Sequence, residues 1–116
     1  MEPFILRFVR DKHNPVKDDL VSISFLSPGN YQIKTKYSDG TRCSIQTLSY
    51  MDIFDYVHSV MILLIHDDDP FKWVQIDAPN TPSILLAIKD LDCSRVYQAI
   101  DNLLHVSLSI WSRTLP

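Results

Sequence analysis

Three stretches of alternating apolar and polar residues, separated by two tight-turn sequences, constrain the fold of this chain more than any other feature. The stretches are 20–26, 31–37 and 42–48, and the turns between them are SPGN and SDGT. Proline presets φ and glycine accepts positive φ, so both turns favour a tight reversal, and Asp-Gly suits a type I′ hairpin. Alternation with a period of two gives each strand one buried face. This region therefore predicts three consecutive antiparallel strands.

An apolar stretch before this meander, residues 3–10, predicts one more strand, and the polar, proline-containing stretch 11–19 predicts the loop after it. An acid precedes the N-terminal apolar patch and no small-residue cleavage site follows it, so we expect a strand there rather than a signal peptide. In the meander, the side chains expected on the buried face are Val21, Ile23, Phe25, Tyr31, Ile33, Tyr37, Cys43 and Ile45.

Helical periodicity replaces the alternation after residue 48. Apolar residues recur at helical spacing from Ile53 to Leu64, which predicts a helix over Tyr50–Ile65. Ser49 is placed to cap its N-terminus, and Asp52, three residues later, completes a near capping box. The sequence HDDDP that follows ends the helix, because proline cannot continue it.

The second half of the chain repeats this order of elements. Residues 71–77 and 83–89 are predicted to form a hairpin around the turn APNTP. A final helix is expected over Arg95–Trp111, with Asp92 or Ser94 as its N-cap. The residues that this helix is expected to bury are Val96, Ala99, Ile100, Leu103, Leu104 and Ile110.

The two halves, 31–66 and 72–110, share the plan of strand, turn, strand, cap and helix, although their residue identity is negligible. An old duplication and two independent ββα units both remain open. The 116 residues are expected to form a single α+β domain, because this length gives no room for two independent cores. The expected fold is an antiparallel meander sheet of five to six strands in the order β-β-β-β-α-β-β-α. Two helices pack on one face, as a two-layer sandwich.

Charge and glycine content exclude several functional classes. The net charge is −3 and the 11 Lys and Arg residues are scattered, so no basic stripe for nucleic acid is expected. Gly29 and Gly40 are the only glycines and both lie in predicted turns, which leaves no GxGxxG or P-loop for a nucleotide. The longest apolar run, Val60–Ile65, is much shorter than the roughly 18–20 residues of a membrane span. We expect neither a nucleic-acid nor a membrane partner.

The two cysteines, Cys43 and Cys93, are far apart and lack a CxxC context. They are most simply explained as free thiols in a reducing cytoplasm, so a soluble cytoplasmic protein is expected. Cys43 is predicted on the inward face of its strand, where a thiol acts as a small hydrophobe. Cys93 lies near the start of the last helix, where the positive end of the helix dipole could lower its pKa and raise its reactivity, although a thiol without a role in the capping region is the commoner outcome. Nothing in the sequence separates a viral or phage accessory protein from a cellular one.

The acidic run 66–69, His-Asp-Asp-Asp, is the most chemically suggestive stretch. Carboxylates beside an imidazole could hold a divalent cation. Adjacent residues of an extended chain point in different directions, however, and a calcium loop needs glycine and glutamate where Lys72 and Ala78 stand. Close pairs of Cys or His, as zinc requires, are absent. We therefore expect a solvated helix end, no metal and no cofactor.

One catalytic arrangement can be drawn from the sequence. Asp55 and His58 are three residues apart on the first predicted helix, a spacing that can tune a general base, although an incidental ion pair is the commoner outcome. With Tyr31 and Tyr37 they define an alternative function, in which a pocket between sheet and helices serves a cofactor-free small-molecule-binding domain or a small enzyme. The chain has no G-x-S-x-G nucleophile motif.

Surplus apolar surface is the strongest functional signal in the sequence. Ile62 and Leu63 lie outside the buried stripe of the first helix, and Leu85 belongs to a strand that is apolar on both faces. Trp73 and Trp111 are of a residue type that often anchors interfaces. The main expectation is therefore a protein-interaction domain, a binding or adaptor module that acts as a homodimer. An extended peptide added along a sheet edge is a further expected partner.

Two alternatives to this interpretation remain. The loop 11–19 or the first strand could fold over the surplus apolar surface and leave no interface. An acidic, secretion-chaperone-like dimer would also combine small size with the order meander, helix, hairpin, helix. Such chaperones usually begin with a helix, where this chain is expected to begin with a strand. A bound effector would distinguish that case from a self-contained dimer.

Overall fold

Six strands and two helices follow one another in the order expected from the sequence. The computed structural model describes residues 2–47, 49–89 and 92–115. The elements are β1 (Phe4–Val9), β2 (Asp19–Ser27), β3 (Asn30–Lys36), β4 (Arg42–Thr47), α1 (Tyr50–Ile65), β5 (Trp73–Asp77), β6 (Ile84–Ala87) and α2 (Ser94–Arg113). The predicted end of the fourth strand at Leu48, and residues 90 and 91 before the last helix, lie outside the described residues.

The strands form one antiparallel sheet in the order β4-β3-β2-β1-β5-β6. β1 lies near the centre, because it pairs with β2 on one side and with β5 on the other. The hairpins β3–β4 and β5–β6 therefore lie at opposite edges, each followed in the chain by a helix. This arrangement confirms the predicted α+β two-layer class and gives the strand order that the sequence left open.

The hydrophobic core lies between one face of the sheet and the two helices. Leu6 lies opposite Val21 on one side and Ile76 on the other, and Phe8 contacts Phe71 edge to face with ring centroids 5.1 Å apart. The helices contribute Ile53, Val57, Val60, Met61, Leu64, Val96, Ile100 and Leu104 to this core. Burial of such side chains stabilises each by about 1.5–3 kcal/mol relative to exposure.

The two helices run antiparallel across the same face of the sheet. The Tyr50 hydroxyl donates a hydrogen bond to the Asp101 carboxylate, and the His58 Nδ1 lies 2.7 Å from the Tyr97 hydroxyl. Tyr50, at the start of α1, thus contacts Asp101 in the middle of α2. His58, later in α1, contacts Tyr97, which lies earlier in α2, so the two helices run in opposite directions. Within the described ranges, neither helix is long and apolar enough to cross a membrane.

A buried arginine joins the end of β1 to the acidic run after α1. The Arg10 guanidinium donates to the carbonyl oxygens of Asp69 at 2.6 Å and Lys17 at 2.7 Å. It also donates to the Asp19 carboxylate and, at 3.1 Å, to Asp67 Oδ2. Bonds between an ionised donor and carboxylates are about twice as strong as neutral ones. Arg10 therefore holds three separate segments of the chain together.

The acidic run consequently has a structural role that the sequence did not reveal. α1 ends at Ile65, as predicted, and the Asp68 and Asp69 side chains are exposed to water. Asp67, however, pairs with the buried guanidinium, so it is more than a solvated helix end. In the part of the chain that the structure describes, no three His, Cys, Asp or Glu side chains are placed to hold a metal ion.

Two residues expected in the core are exposed. Cys43 lies opposite Thr35 on the helix-covered side of the sheet, but β4 is an edge strand and the thiol is open to water. Ile110 is also exposed, although its spacing continues the apolar stripe of α2. The buried part of that stripe ends at Leu104, so both predictions were wrong because the opposing layer ends before the sequence pattern does.

The helix starts differ in detail from the predicted caps. Ser49 occupies the N-cap position of α1 but makes no capping hydrogen bond with its side chain. The Thr47 hydroxyl instead donates to the Asp52 carboxylate at 3.0 Å, so the predicted capping box is replaced by a bond from the preceding strand.

The start of α2 also corrects the expectation for Cys93. Cys93 itself is the N-cap, and the Asp92 carboxylate accepts the backbone N–H of Ser94 at 3.0 Å. Burial, reinforced by the negative charge of Asp92, raises the pKa of the Cys93 thiol. The raised pKa is opposite to the activation that the helix dipole could give, because burial disfavours the thiolate.

Candidate functional site

The end of α2 extends beyond its partner helix. α1 has 16 residues and begins at Tyr50, which lies against Asp101, whereas α2 has 20 residues and continues to Arg113. About two turns of α2 after His105 therefore have no helix beside them on that flank. We call residues 106–115 the α2 overhang.

The α2 overhang exposes four large apolar side chains, on more than one side of the helix. Val106, Leu108, Ile110 and Leu115 are each 43–52% exposed. No charged residue lies between His105 and Arg113. Apolar side chains scattered singly are normal on a protein surface, but a contiguous uncharged patch marks an interaction site. The overhang exposes more large apolar side chains than the C-terminal turns of α1, where Ile62 and Leu63 are exposed.

A groove of about 550 Å³ runs along one flank of the overhang. It separates α2 from the turn between β5 and β6, and its apolar lining includes Phe4, Pro79, Leu103, Val106 and Ile110. Ile110 faces this groove instead of the sheet, which explains its exposure. The groove is wide enough to receive a side chain from another molecule, and two of the exposed side chains of the overhang, Val106 and Ile110, line it.

The predicted interface residues of the helices occupy separate places. Trp111 lies at the overhang, where it is partly buried against the core. Ile62 and Leu63 are exposed near the C-terminal end of α1, which lies beside the start of α2 rather than its end. Only Trp111 of these three therefore adjoins the overhang.

The other two predicted interface residues lie on the open face of the sheet, opposite the helices. Leu85 is exposed there, and Trp73 is partly buried. The Lys12 ammonium lies 4.6 Å from the centroid of the Trp73 ring, a cation–π contact. The loop between β1 and β2 thus covers part of Trp73, as in the alternative in which loop 11–19 folds over the apolar surface. It does not cover the α2 overhang, whose apolar side chains are exposed.

The four residues of the predicted pocket do not share a cavity. Tyr31 is buried in the core, whereas Tyr37, at the other end of β3, lines a groove beside Asp19 and has a pKa raised by burial. Asp55 and His58 lie on the exposed side of α1, and His58 bonds to a tyrosine of α2. The arrangement offers no site at which a substrate could reach all four groups.

A polar seam between the helices is structural. Burial first, and then the hydrogen bond to Asp101, raises the pKa of Tyr50 to about 12. The Tyr50 ring meets His105 edge to face, with centroids 6.3 Å apart, and the His105 Nδ1 lies 2.8 Å from the Asp101 carbonyl oxygen. A tyrosine with this pKa stays protonated near neutral pH and cannot act as a base, so these contacts serve to align the helices.

Asp18 is the one buried group that is incompletely paired within the described ranges. Its side chain is 3% exposed, and its Oδ2 lies 3.5 Å from the Arg7 Nη1. Its Oδ1 has no hydrogen-bond partner there. Burial raises the pKa of the Asp18 carboxyl and outweighs the opposing effect of Arg7. The folded protein therefore favours the protonated form more than the unfolded chain does.

Replacing Asp18 with asparagine is expected to change the pH dependence of stability. Because the folded-state pKa of Asp18 lies above its ordinary value of 3.8, wild-type stability falls as pH rises through the window between the two values. Asp18→Asn removes this loss, so we expect the variant to be more stable by about 1 kcal/mol at pH 8 and to lose that advantage near pH 4. Urea denaturation at both pH values measures the difference. An equal difference at both pH values, or a less stable variant at pH 8, would contradict the assignment.

Comparisons with protein-family models, with curated proteins and with solved structures each found no match. Among the surfaces of the described residues, the α2 overhang combines exposure, apolar character and an adjoining groove. It is therefore the candidate functional site.

Proposed function

We propose that this chain is a protein-interaction domain that forms a homodimer through the α2 overhang. The observation that supports the proposal is the exposure of Val106, Leu108 and Ile110 on a helix end that has no charged residue between His105 and Arg113. Burial of apolar surface stabilises an association by roughly 25 cal/mol per Å², before the costs of ordering two molecules. The exposed apolar side chains of the overhang supply that gain, and the lining of the adjoining groove contains one charged residue, Glu2.

A second copy of the chain is the partner that this surface fits. Each chain carries a net charge of −3, so two copies repel where their charged faces meet. Residues 106–112 of the α2 overhang carry no charge, so this segment of the helix brings no like charges together when two copies meet. A two-fold axis places the same patch on both subunits. Val106 and Ile110, which are four residues apart and share one side of α2, can then pack along the groove against the same pair of the other subunit.

The proposed location is the cytoplasm. Cys43 is a free, exposed thiol and Cys93 is a free, buried one. An exposed unpaired thiol persists in a reducing compartment and is readily oxidised in the secretory pathway. The exposure of Cys43, which the sequence did not predict, supports this location more strongly than the cysteine spacing does.

The mass of the wild-type protein in solution tests the proposed function. Light scattering after size exclusion, at two loading concentrations that differ about tenfold, is expected to give twice the 13.4 kDa chain mass at the higher concentration. A mass of one chain at both concentrations would contradict a homodimer, and a mass that grows without limit would contradict a closed two-fold interface.

A further inference from the structure

The open face of the sheet carries a concentration of positive charge that the net charge conceals. Lys36 on β3 and Arg42 on β4 are direct cross-strand partners, and Lys34 lies two residues before Lys36 on the same face. Like charges directly opposite one another destabilise a sheet. Within the described ranges, none of these three side chains forms an ion pair. The fold therefore holds three exposed cations together without a neutralising carboxylate.

A groove of about 370 Å³ lies among these cations. Ser22 and Ser44, the cross-strand neighbours of Lys34 on its two sides, contribute hydroxyl groups to it. Ile5 and Leu20 supply an apolar floor. The volume falls in the range of about 300–1,000 Å³ that small-molecule sites occupy. Hydrogen-bond donors, positive charge and an apolar surface thus meet in one concave place.

We propose that this groove binds a small organic phosphate monoester. A phosphate group carries a charge of about −1.5 to −2 near pH 7, which three cations can neutralise. Arg42 can form paired N–H···O bonds to two phosphate oxygens, and the lysines act as point charges beside it. The apolar part of the ligand lies against Ile5 and Leu20. A bound phosphate offsets the repulsion between Lys36 and Arg42, so the unfavourable pairing of these two cations becomes favourable when the ligand is present. The site is on the face opposite the helices and does not depend on the proposed dimer.

Titration with phenyl phosphate, followed by the amide NMR signals of Ser22 and Ser44, tests this proposal. We expect a Kd on the order of 1 mM at low ionic strength, and weaker binding of inorganic phosphate, which lacks an apolar part. The double variant Lys36→Gln with Arg42→Gln is expected to weaken binding at least tenfold. The matched control Lys89→Gln removes an exposed charge outside the groove and is expected to change the Kd less than twofold. Circular dichroism of each variant checks that the fold is retained.

Several outcomes would overturn the phosphate site. The absence of shifts at about 10 mM phenyl phosphate would do so, since that concentration exceeds the expected Kd tenfold. Equal loss of binding in Lys89→Gln would show a response to overall charge instead of a site. Binding of a thymidine oligonucleotide at least a hundredfold more tightly than phenyl phosphate, with strong salt dependence, would show that the groove binds single-stranded nucleic acid and not a small phosphate monoester.

Discussion

Replacing Arg10 with alanine is expected to lower the free energy of unfolding by about 3–5 kcal/mol. The Asp19 side chain is only 2% exposed, and the variant leaves its carboxylate buried without a cation. The segments around Lys17 and Asp69 also lose the hydrogen bonds that the guanidinium donates to their carbonyl oxygens. Since small domains are stable by about 5–15 kcal/mol, this one change removes a large share of the total.

Urea denaturation of matched variants measures this effect. Arg95→Ala removes an exposed arginine from α2 and is expected to change stability by less than about 0.5 kcal/mol. Arg10→Lys is expected to be clearly destabilised, because one ammonium cannot reach all the acceptors of the guanidinium. Arg10→Met combined with Asp19→Leu is expected to recover most of the loss by removing both buried charges. A loss below about 1 kcal/mol in Arg10→Ala would show that Arg10 is not the organising contact described above.

The second large effect concerns self-association. Ile110→Glu is expected to weaken the homodimer at least a hundredfold, which corresponds to about 2.7 kcal/mol. A two-fold interface receives the new carboxylate twice, so each copy loses its hydration among apolar side chains and the two negative charges repel one another. Ile110 is exposed in the single chain, so the substitution is expected to leave the fold intact. Sedimentation velocity, at a concentration where the wild type is dimeric, measures the change.

Gln98→Glu is the matched control for this variant. It introduces the same charge on α2 twelve residues before Ile110, about 18 Å along the helix axis and outside the α2 overhang. Gln98 is exposed and does not line the groove beside the α2 overhang. The control is expected to remain dimeric. A dimeric Ile110→Glu variant, or two variants that dissociate equally, would place the interface elsewhere or show a response to charge alone.

The elements of this fold could be predicted from the sequence because their signals are local. The helix α1 begins at Tyr50 and ends at Ile65, as its apolar spacing and the following proline indicate. The alternation in β2 and β3 likewise places Val21, Ile23 and Ile33 in the core. Each of these patterns is complete within one or two turns or strands, so no distant partner is needed to recognise it.

The features that could not be predicted from the sequence depend on contacts between residues far apart in the chain. The place of β5 beside β1 follows from pairs such as Leu6 with Ile76, which no local pattern encodes. Arg10 and Asp67 are 57 positions apart, and each alone resembles an ordinary surface residue. The exposure of Ile110 follows from its position at the groove between α2 and the turn that joins β5 to β6. The periodicity of α2 by itself predicts burial there.

Amide hydrogen exchange of α2 at two protein concentrations tests the central claim most directly, because it reports both self-association and its location. One sample is kept where light scattering gives a dimer, and the other is diluted until the mass is that of one chain. Amides of residues 106–113 are expected to exchange more slowly in the dimer, while those of α1 exchange at the same rate in both samples. Equal exchange of residues 106–113 in both samples, or protection confined to β6 or the open face of the sheet, would contradict a dimer formed through the α2 overhang.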